Sequence, residues 1–154
     1  MTRLLKFVPE RKLDGCTTLA TLDPIPFEAV RCLTVSAPRA YIWAGARAYR
    51  LCHLLLVPAV NALLVNCDTG GRRDRFSFIP GEALYVPPMT WLDYAWGEPG
   101  GGTALILASR PCEPEDEIAE RDVFDAAVAE PAVHLDEQRW VILRRRQPEL
   151  CDSG

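Results

Sequence analysis

The stretch WAGARAYRLCH, from Trp43 to His53, decides the fold of this protein. It is short and carries aromatic residues, which favours a β-strand, and we predict a strand over Ala40–Arg50. Alternate residues of a strand share a face, so Arg47 and Tyr49 are expected to point the same way. This strand therefore presents a permanent cation and a phenol together.

The rest of the chain consists mainly of short extended segments separated by turns. Glu113–Val128 is predicted to be a helix, because it opens with acidic residues and its apolar residues recur at near-helical intervals. Many strands followed by one late helix favour a barrel or sandwich over a β-α-β protein. The other predicted strands are Ala29–Val35, Leu54–Val57, Ala62–Cys67, Arg73–Ile79, Ala83–Val86, Trp91–Trp96 and Thr103–Ala108.

Composition limits the size, partners and location of the protein. Its 154 residues, 49% of them hydrophobic, suit one domain with a real core. The net charge of -4 gives no electrostatic reason to expect nucleic acid or an anionic membrane as partner. The longest apolar run, LLLVPAV from Leu54, is too short to cross a bilayer. Six scattered cysteines without a CxxC pair, and no signal-peptide pattern, predict a cytoplasmic protein with reduced thiols.

Two motifs typical of a cupin barrel are present in altered form. The second motif, G-x5-P-x-G-x2-H-x3-N, begins well at Gly81–Pro87, but its histidine position falls on Leu92. The first, G-x5-H-x-H-x3-4-E-x6-G, places Arg47 and Tyr49 at its two histidines. A cupin metal site normally needs about three imidazoles and a carboxylate, and the whole chain has two histidines. We therefore expect no metal and no other cofactor.

Longer segments of the chain resemble a known enzyme family. They are IPFEAVRCLTVS, WAGARAY, LLVNCDTG, VPPMTWLDYAW and TALILASRPCEPEDEIAERDVFDAAV, in order between about Lys12 and Val128. They look like the sugar 3,4-ketoisomerases, cupin proteins that act on dTDP-4-keto-6-deoxyglucose and include chains called WxcM-like. The resemblance implies an all-β fold, a cupin (jelly-roll) β-barrel with one C-terminal helix, in a single domain over residues 1–128. It also implies a homodimer, and it leaves open whether N-terminal strands are exchanged.

The resemblance is weaker for the chemistry. The family carries R-G-x-H-A-H, whose histidines serve as acid and base without a metal, whereas this chain reads AGARAY over 44–49. Imidazole titrates near neutrality, but arginine does not give up its proton and tyrosine titrates near 10. The family mechanism is therefore not inherited unchanged. We expect Arg47 and Tyr49 to bind an anionic or carbonyl-bearing ligand; the alternative is that Arg47 pairs with a carboxylate and Tyr49 fills space.

Candidate site residues follow from the two motif strands. His53 joins Arg47 and Tyr49 as a catalytic candidate if a turn brings it inward; otherwise it is a half-buried structural residue. If Leu92 points inward, Thr90, Tyr94 and Trp96 share its face, while Trp91 and Asp93 point away. The predicted substrate-binding residues are Tyr41 and Trp43 at the entrance, and Thr90, Leu92, Tyr94 and Trp96; for the aromatic ones, core packing is the alternative.

Three classes of function remain open. The first is a metal-independent enzyme that isomerises or cyclises a small-molecule intermediate, including by a pericyclic reaction, in the barrel cavity. The second is a dTDP-4-keto-6-deoxyhexose 3,4-ketoisomerase with altered acid and base residues. The third is a non-catalytic module that binds a small molecule or a partner. The extension 129–154 is expected either to form an extra strand around Arg139–Leu143 or to remain loose, and His134 is assigned no role.

Overall fold

The computed structural model describes residues 2–11, 18–22, 25 and 27–129. The predicted all-β architecture with one late helix is confirmed over these residues. The extension beyond 129, with the expected strand at Arg139–Leu143 and with His134, lies outside them. The elements are β1 (Arg3–Arg11), β2 (Thr18–Leu22), β3 (Arg31–Ala37), β4 (Ala44–Tyr49), β5 (Leu54–Val60), β6 (Leu63–Asp68), β7 (Arg73–Phe78), β8 (Glu82–Val86), β9 (Trp91–Trp96), β10 (Gly102–Ala108), β11 (Glu117–Ile118) and α1 (Arg121–Ala129).

The strands form two antiparallel sheets. One has the order β2-β1-β8-β5-β10-β3 and the other has the order β11-β4-β9-β6-β7. Because side chains alternate along a strand, each sheet has one face toward the core and one face away from it. On β5, for example, Leu54 and Leu56 belong to the core, whereas Leu55 packs against Tyr85 in a separate cluster on the outer face.

The main core fills part of the space between the sheets and holds the barrel together by burial of apolar surface. A second apolar cluster covers the outer face of the six-stranded sheet, where Phe27 packs on Tyr85. A third lies under α1, where Phe124 packs on Ala48 and Ile118. Buried members of the main core include Leu54, Leu56, Leu84, Val86 and Ile106 from one sheet, and Leu63, Val65, Phe78, Leu92 and Trp96 from the other.

The predicted helix is wrong in its first half. Pro114–Asp116 form a single 3₁₀ turn, Glu117 and Ile118 form β11, and α1 begins only at Arg121. A hydrogen bond to a distant segment explains why the helix does not begin earlier: the backbone N–H of Leu51 donates to the Asp116 carboxylate at 2.6 Å. The acidic residues thus anchor this segment to the end of β4 instead of opening a helix.

The described part of the chain contains a single α-helix, which has 9 residues and is too short to span a membrane. The four cysteines that the structure describes, Cys32, Cys52, Cys67 and Cys112, carry free thiols. Burial raises the pKa of the Cys67 thiol to about 12, so this thiol is unreactive at neutral pH.

Candidate active site

A cavity of about 310 Å³ opens between the two sheets. Its walls are largely aliphatic, and its polar side chains are two arginines and two tyrosines. The six-stranded sheet supplies one wall and strands β4 and β9 supply the other. The lining residues are Arg31, Leu33, Val35, Leu54 and Ile106 from the first sheet, and Ala44, Gly45, Arg47, Tyr49, Leu92 and Tyr94 from the second.

A β-bulge in β4 shapes this cavity. Arg47 lies opposite Leu92 and Ala44 lies opposite Tyr94. Between these two pairs the chain advances three residues along β4 and two along β9, so β4 contains one extra residue. Gly45, within the bulge, has φ of 74°, a left-handed conformation that glycine adopts without strain. A Cβ on Gly45 would lie 2.3 Å from Cε2 of Tyr94, so glycine also makes room for this ring.

Arg47 and Tyr49 both lie on the cavity wall. Nη1 of Arg47 donates to Oε2 of Glu117, and the Arg47 side chain keeps 43% of its surface exposed. Nε of Arg47 is buried and has no hydrogen-bond partner among the described residues. The guanidinium is thus held by a carboxylate through Nη1, while the side chain as a whole stays partly exposed on the cavity wall.

The phenols of Tyr49 and Tyr94 retain their protons at neutral pH. Burial raises the pKa of Tyr49, and Glu117 raises it further, while the charge of Arg47 opposes both. Burial also raises the pKa of Tyr94 against the opposing charge of Arg47. A neutral phenol and a guanidinium both donate hydrogen bonds. The polar groups of the cavity therefore suit a ligand rich in acceptor oxygens.

The predicted β9 residues divide between the cavity and the core. Leu92 and Tyr94 line the cavity, and Asp93 faces away, where it accepts a hydrogen bond from Asn66 at 2.8 Å. Trp96 is 1% exposed and meets the Tyr94 ring edge-on, with 6.2 Å between ring centroids. Thr90 is also buried, at 2% exposure, and neither it nor Trp96 reaches the cavity wall.

Tyr41 and Trp43 do not lie on the cavity wall. The bulge at Gly45 interrupts the alternation, so the inward position before it is taken by Ala44. The Trp43 ring instead packs under Arg75, whose Cζ lies 5.4 Å from the ring centroid. Tyr41 is 64% exposed and sits in the turn before β4.

His53 lies away from the cavity, in the cluster on the outer face of the six-stranded sheet. Leu54, the next residue, points into the core, so His53 points outward. Nδ1 of His53 is 2.8 Å from the Tyr85 hydroxyl oxygen. Its ring stacks on Phe27 and Tyr85, with centroid distances of 5.8 and 5.9 Å. The structure therefore does not bring His53 together with Arg47 and Tyr49.

The burial of His53 predicts a pH-dependent stability. Burial lowers the pKa of His53. Below about pH 6.5 the His53 imidazole is therefore protonated in the unfolded chain but less so in the folded chain. The free energy of unfolding should therefore fall between pH 7.5 and pH 5, and it should fall less in His53→Asn. Urea unfolding of both proteins at the two pH values measures this difference, since all other titrating groups are shared. An identical pH dependence in both proteins contradicts the prediction.

The sequence predictions missed two charged residues near Arg47 and Tyr49, namely Arg31 and Glu117. We call Arg31, Arg47 and Tyr49 the polar end of the cavity. Arg31 opens β3 and lines the cavity, and its Nε donates to the Arg110 carbonyl oxygen at 3.2 Å. Alternation through Arg31, Leu33 and Val35 indicates a shared face, and this pattern was available in the sequence. Glu117 had no such signal, because its segment has the composition of a helix start.

The residues at the cupin ligand positions do not fit a metal ion. Arg47, Tyr49 and Leu92 occupy the three histidine positions of the motifs, and neither a guanidinium nor an alkyl side chain is a metal ligand. Within the described ranges, no group of three or more His, Cys, Asp or Glu side chains is placed to hold a metal.

A second cleft, of about 390 Å³, lies on the outer face of the five-stranded sheet. Its charged groups are paired with one another: Asp68 accepts from Arg121 and from Arg73, and Asn66 bridges Arg75 and Asp93. Since these pairs satisfy its polar groups, the inner cavity is the better candidate site.

Comparisons with known proteins agree with this architecture. Residues 3–129 match the family model described as "FdtA: WxcM-like, C-terminal". A comparison with curated proteins finds no match.

Solved structures with this fold include three named as 3,4-ketoisomerases. The protein from Helicobacter canadensis is 20% identical, with a TM-score of 0.74 over 84% of this chain and 98% of its own. QdtA from Thermoanaerobacterium thermosaccharolyticum, solved with TDP, is 20% identical, with a TM-score of 0.72 over 82% and 93%. WlaRB from Campylobacter jejuni, a TDP-quinovose 3,4-ketoisomerase, is 19% identical, with a TM-score of 0.70 over 81% and 97%. These likenesses confirm the predicted jelly-roll barrel.

Proposed function

The chain belongs to the WxcM-like C-terminal family, as its sequence resemblance indicated, and from this premise we propose that it is a metal-independent isomerase or cyclase. Its substrate is a small-molecule intermediate that binds in the cavity between the sheets. One observation carries this proposal: the cavity joins hydrogen-bond donors at one end to aliphatic walls elsewhere. The guanidinium of Arg47 and the phenol of Tyr49 supply the donors.

Such a cavity promotes a rearrangement in two ways. Its walls hold a flexible apolar chain in the folded shape from which a ring closes, which lowers the entropic part of the barrier. Arg47 and Tyr49 then stabilise negative charge that develops on a carbonyl or carboxylate oxygen of the substrate. Pericyclic ring closure fits these groups, because it needs shape and hydrogen-bond donors but no proton acceptor.

The experiment that tests this function uses mass as its readout, since isomerisation and cyclisation both conserve it. Purified protein is incubated with a metabolite extract from a strain that lacks the protein. We expect one compound to change its retention time without changing its mass, and dialysis against EDTA to leave the rate intact. A product of altered mass, or no conversion, contradicts the proposal.

Arg47→Ala and Tyr49→Phe are expected to slow this conversion at least about tenfold each, because a hydrogen bond to a charged group contributes about 1.5–3 kcal/mol. Arg75→Ala is the matched control, since Arg75 lies on Trp43, away from the cavity. It should keep the full rate. A full rate of conversion in both cavity variants would contradict the assignment of Arg47 and Tyr49 as the hydrogen-bond donors.

A sugar-nucleotide ketoisomerase is the second candidate, favoured by the fold likeness to QdtA, whose structures contain TDP or TDP-4-keto-6-deoxyglucose. Ketoisomerisation moves a proton between carbon atoms and needs a group that accepts it. Among the described residues lining the cavity, none is a histidine or a carboxylate, and the neighbouring carboxylate of Glu117 is paired with the Arg47 guanidinium, which holds it in the ionised form and makes it a weak base. We therefore expect no deuterium in TDP-4-keto-6-deoxyglucose after incubation with the protein in D₂O. Deuterium incorporation would promote this candidate, and binding without any conversion would promote a non-catalytic module.

We also infer a cytoplasmic homodimer. Val30 and Leu105, on the face of the six-stranded sheet away from the cavity, are 57% and 36% exposed, which a second copy would cover. The free thiols of the described cysteines suit a reducing compartment. A monomer mass in sedimentation equilibrium, or export from the cell, would argue against these inferences.

A further inference from the structure

Glu117 is the carboxylate that, among the described residues, contacts the polar end of the cavity. It lies opposite Tyr49 in the β11–β4 pair, and directly opposed residues of antiparallel strands share a face. Its position is fixed from both sides, because Ile118 is 2% exposed against Ala48 and the Asp116 carboxylate accepts from the backbone of Leu51. The structure thus holds this carboxylate beside Arg47 and Tyr49.

The charges at this end of the cavity are unequal. Arg47 is paired with Glu117, whose side chain is 25% exposed. Arg31 has no carboxylate within ion-pair distance among the described residues, and its Nε donates to the neutral carbonyl of Arg110. Two positive charges and one negative charge leave a single net positive charge facing a ligand.

We propose that Glu117 determines the charge of the ligand that the cavity takes. By occupying Arg47 it leaves Arg31 as the uncompensated cation, so that the cavity prefers an apolar molecule with one negative charge, such as a carboxylate, over one with two, such as a phosphate monoester. This inference rests on the proposed function of the cavity and names its substrate class.

The preference has a simple electrostatic cause. A dianionic head group needs both guanidinium groups, and it must displace the Glu117 carboxylate from Arg47 or lie against it. Like charges in a partly buried site repel each other strongly, because solvent screens them less than at the surface. A carboxylate needs one guanidinium, and Arg47, whose side chain is 43% exposed on the cavity wall, and the Tyr49 hydroxyl can complete its hydrogen bonds.

The first test compares two probes that share an apolar body. 4-Phenylbutanoate carries one negative charge and 3-phenylpropyl phosphate carries two at pH 8, above its second pKa of about 6. Isothermal titration calorimetry should show that the unaltered protein binds the carboxylate more tightly. Glu117→Gln, which keeps an acceptor oxygen for Arg47 but removes the charge, should bind the phosphate at least about tenfold more tightly than the unaltered protein does.

Glu115→Gln is the matched control, because Glu115 is exposed and lies two residues away on the same segment. It should leave both affinities unchanged. If the ratio of the two affinities in Glu117→Gln equals that of the unaltered protein, the inference is overturned. If neither probe binds the unaltered protein, the cavity does not take apolar anions, and the inferred ligand class fails together with the donor role proposed for the cavity.

A second test needs no ligand and judges Glu117 by itself. The charged and titrating groups that face Tyr49 are Arg47 on β4, Glu117 on β11, Arg31 on β3 and Tyr94 on β9. Since the Glu117 charge opposes the phenolate, Tyr49 should titrate at lower pH in Glu117→Gln than in the unaltered protein. The titration is followed by NMR of the protein labelled with ¹³C-tyrosine. The Tyr49 signal is assigned as the one that is missing in Tyr49→Phe. An unchanged Tyr49 titration makes Glu117 a structural residue only, whatever the cavity binds.

Discussion

Trp96→Ala is expected to lower the free energy of unfolding by about 3–5 kcal/mol, the usual loss when a large buried aromatic side chain is removed. Trp96 is 1% exposed and packs edge-on against Tyr94. β10 approaches it so closely that a Cβ on Gly102 would lie 2.2 Å from Cδ1 of the indole. Paired strands on either side hinder collapse of the space, so the variant keeps a cavity. Urea unfolding followed by circular dichroism measures the loss.

Trp43→Ala is the matched control, because both tryptophans were predicted to bind substrate. Trp43 is 39% exposed and contacts Arg75 through a cation–π interaction, which contributes about 0.5–1 kcal/mol at exposed sites. Trp96→Phe should lose less than Trp96→Ala, since it keeps an aromatic ring and removes the indole N–H, which has no partner among the described residues. Equal losses in Trp96→Ala and Trp43→Ala would show that Trp96 is not a core residue.

Strand periodicity was enough to predict the central part of the candidate site. β9 spans Trp91–Trp96 as predicted, and its period of two places Leu92 and Tyr94 toward the cavity. Arg47 and Tyr49 share the cavity wall for the same reason, since β4 is regular after its bulge. Local alternation determines these faces, so the sequence carries the information.

Positions that depend on contacts between distant segments were not predictable in this way. One extra residue in β4 turns Trp43 outward, and a glycine in the sequence does not by itself reveal a bulge. The Asp116 carboxylate accepts a hydrogen bond from the backbone N–H of Leu51, and the next two residues form β11. The composition of this segment is that of a helix start, so the sequence alone predicted a helix. β1 was not predicted, since Pro9 weakens its strand pattern and the strand depends on pairing with β8.

Gly45→Ala is expected to lower the affinity of the cavity for 4-phenylbutanoate more than tenfold and to destabilise the fold. The left-handed backbone, with φ of 74°, costs an alanine about 1–2 kcal/mol. The new Cβ would lie 2.3 Å from Cε2 of Tyr94, which forces this ring away from β4. Because Tyr94 lines the cavity, its displacement changes the shape that the ligand meets. Calorimetry and urea unfolding measure the two effects.

A double variant separates the clash from the backbone strain. Gly45→Ala with Tyr94→Leu removes the ring atoms that the Cβ would meet, so it leaves only the cost of the left-handed alanine. The stability losses of the two single variants should therefore sum to more than the loss of the double variant. Ala46→Ser, at the next position on β4, is the control and should leave affinity and stability unchanged, since Ala46 is exposed and does not line the cavity. Additive losses would mean that the Tyr94 ring has room to move and that Gly45 serves the bulge alone.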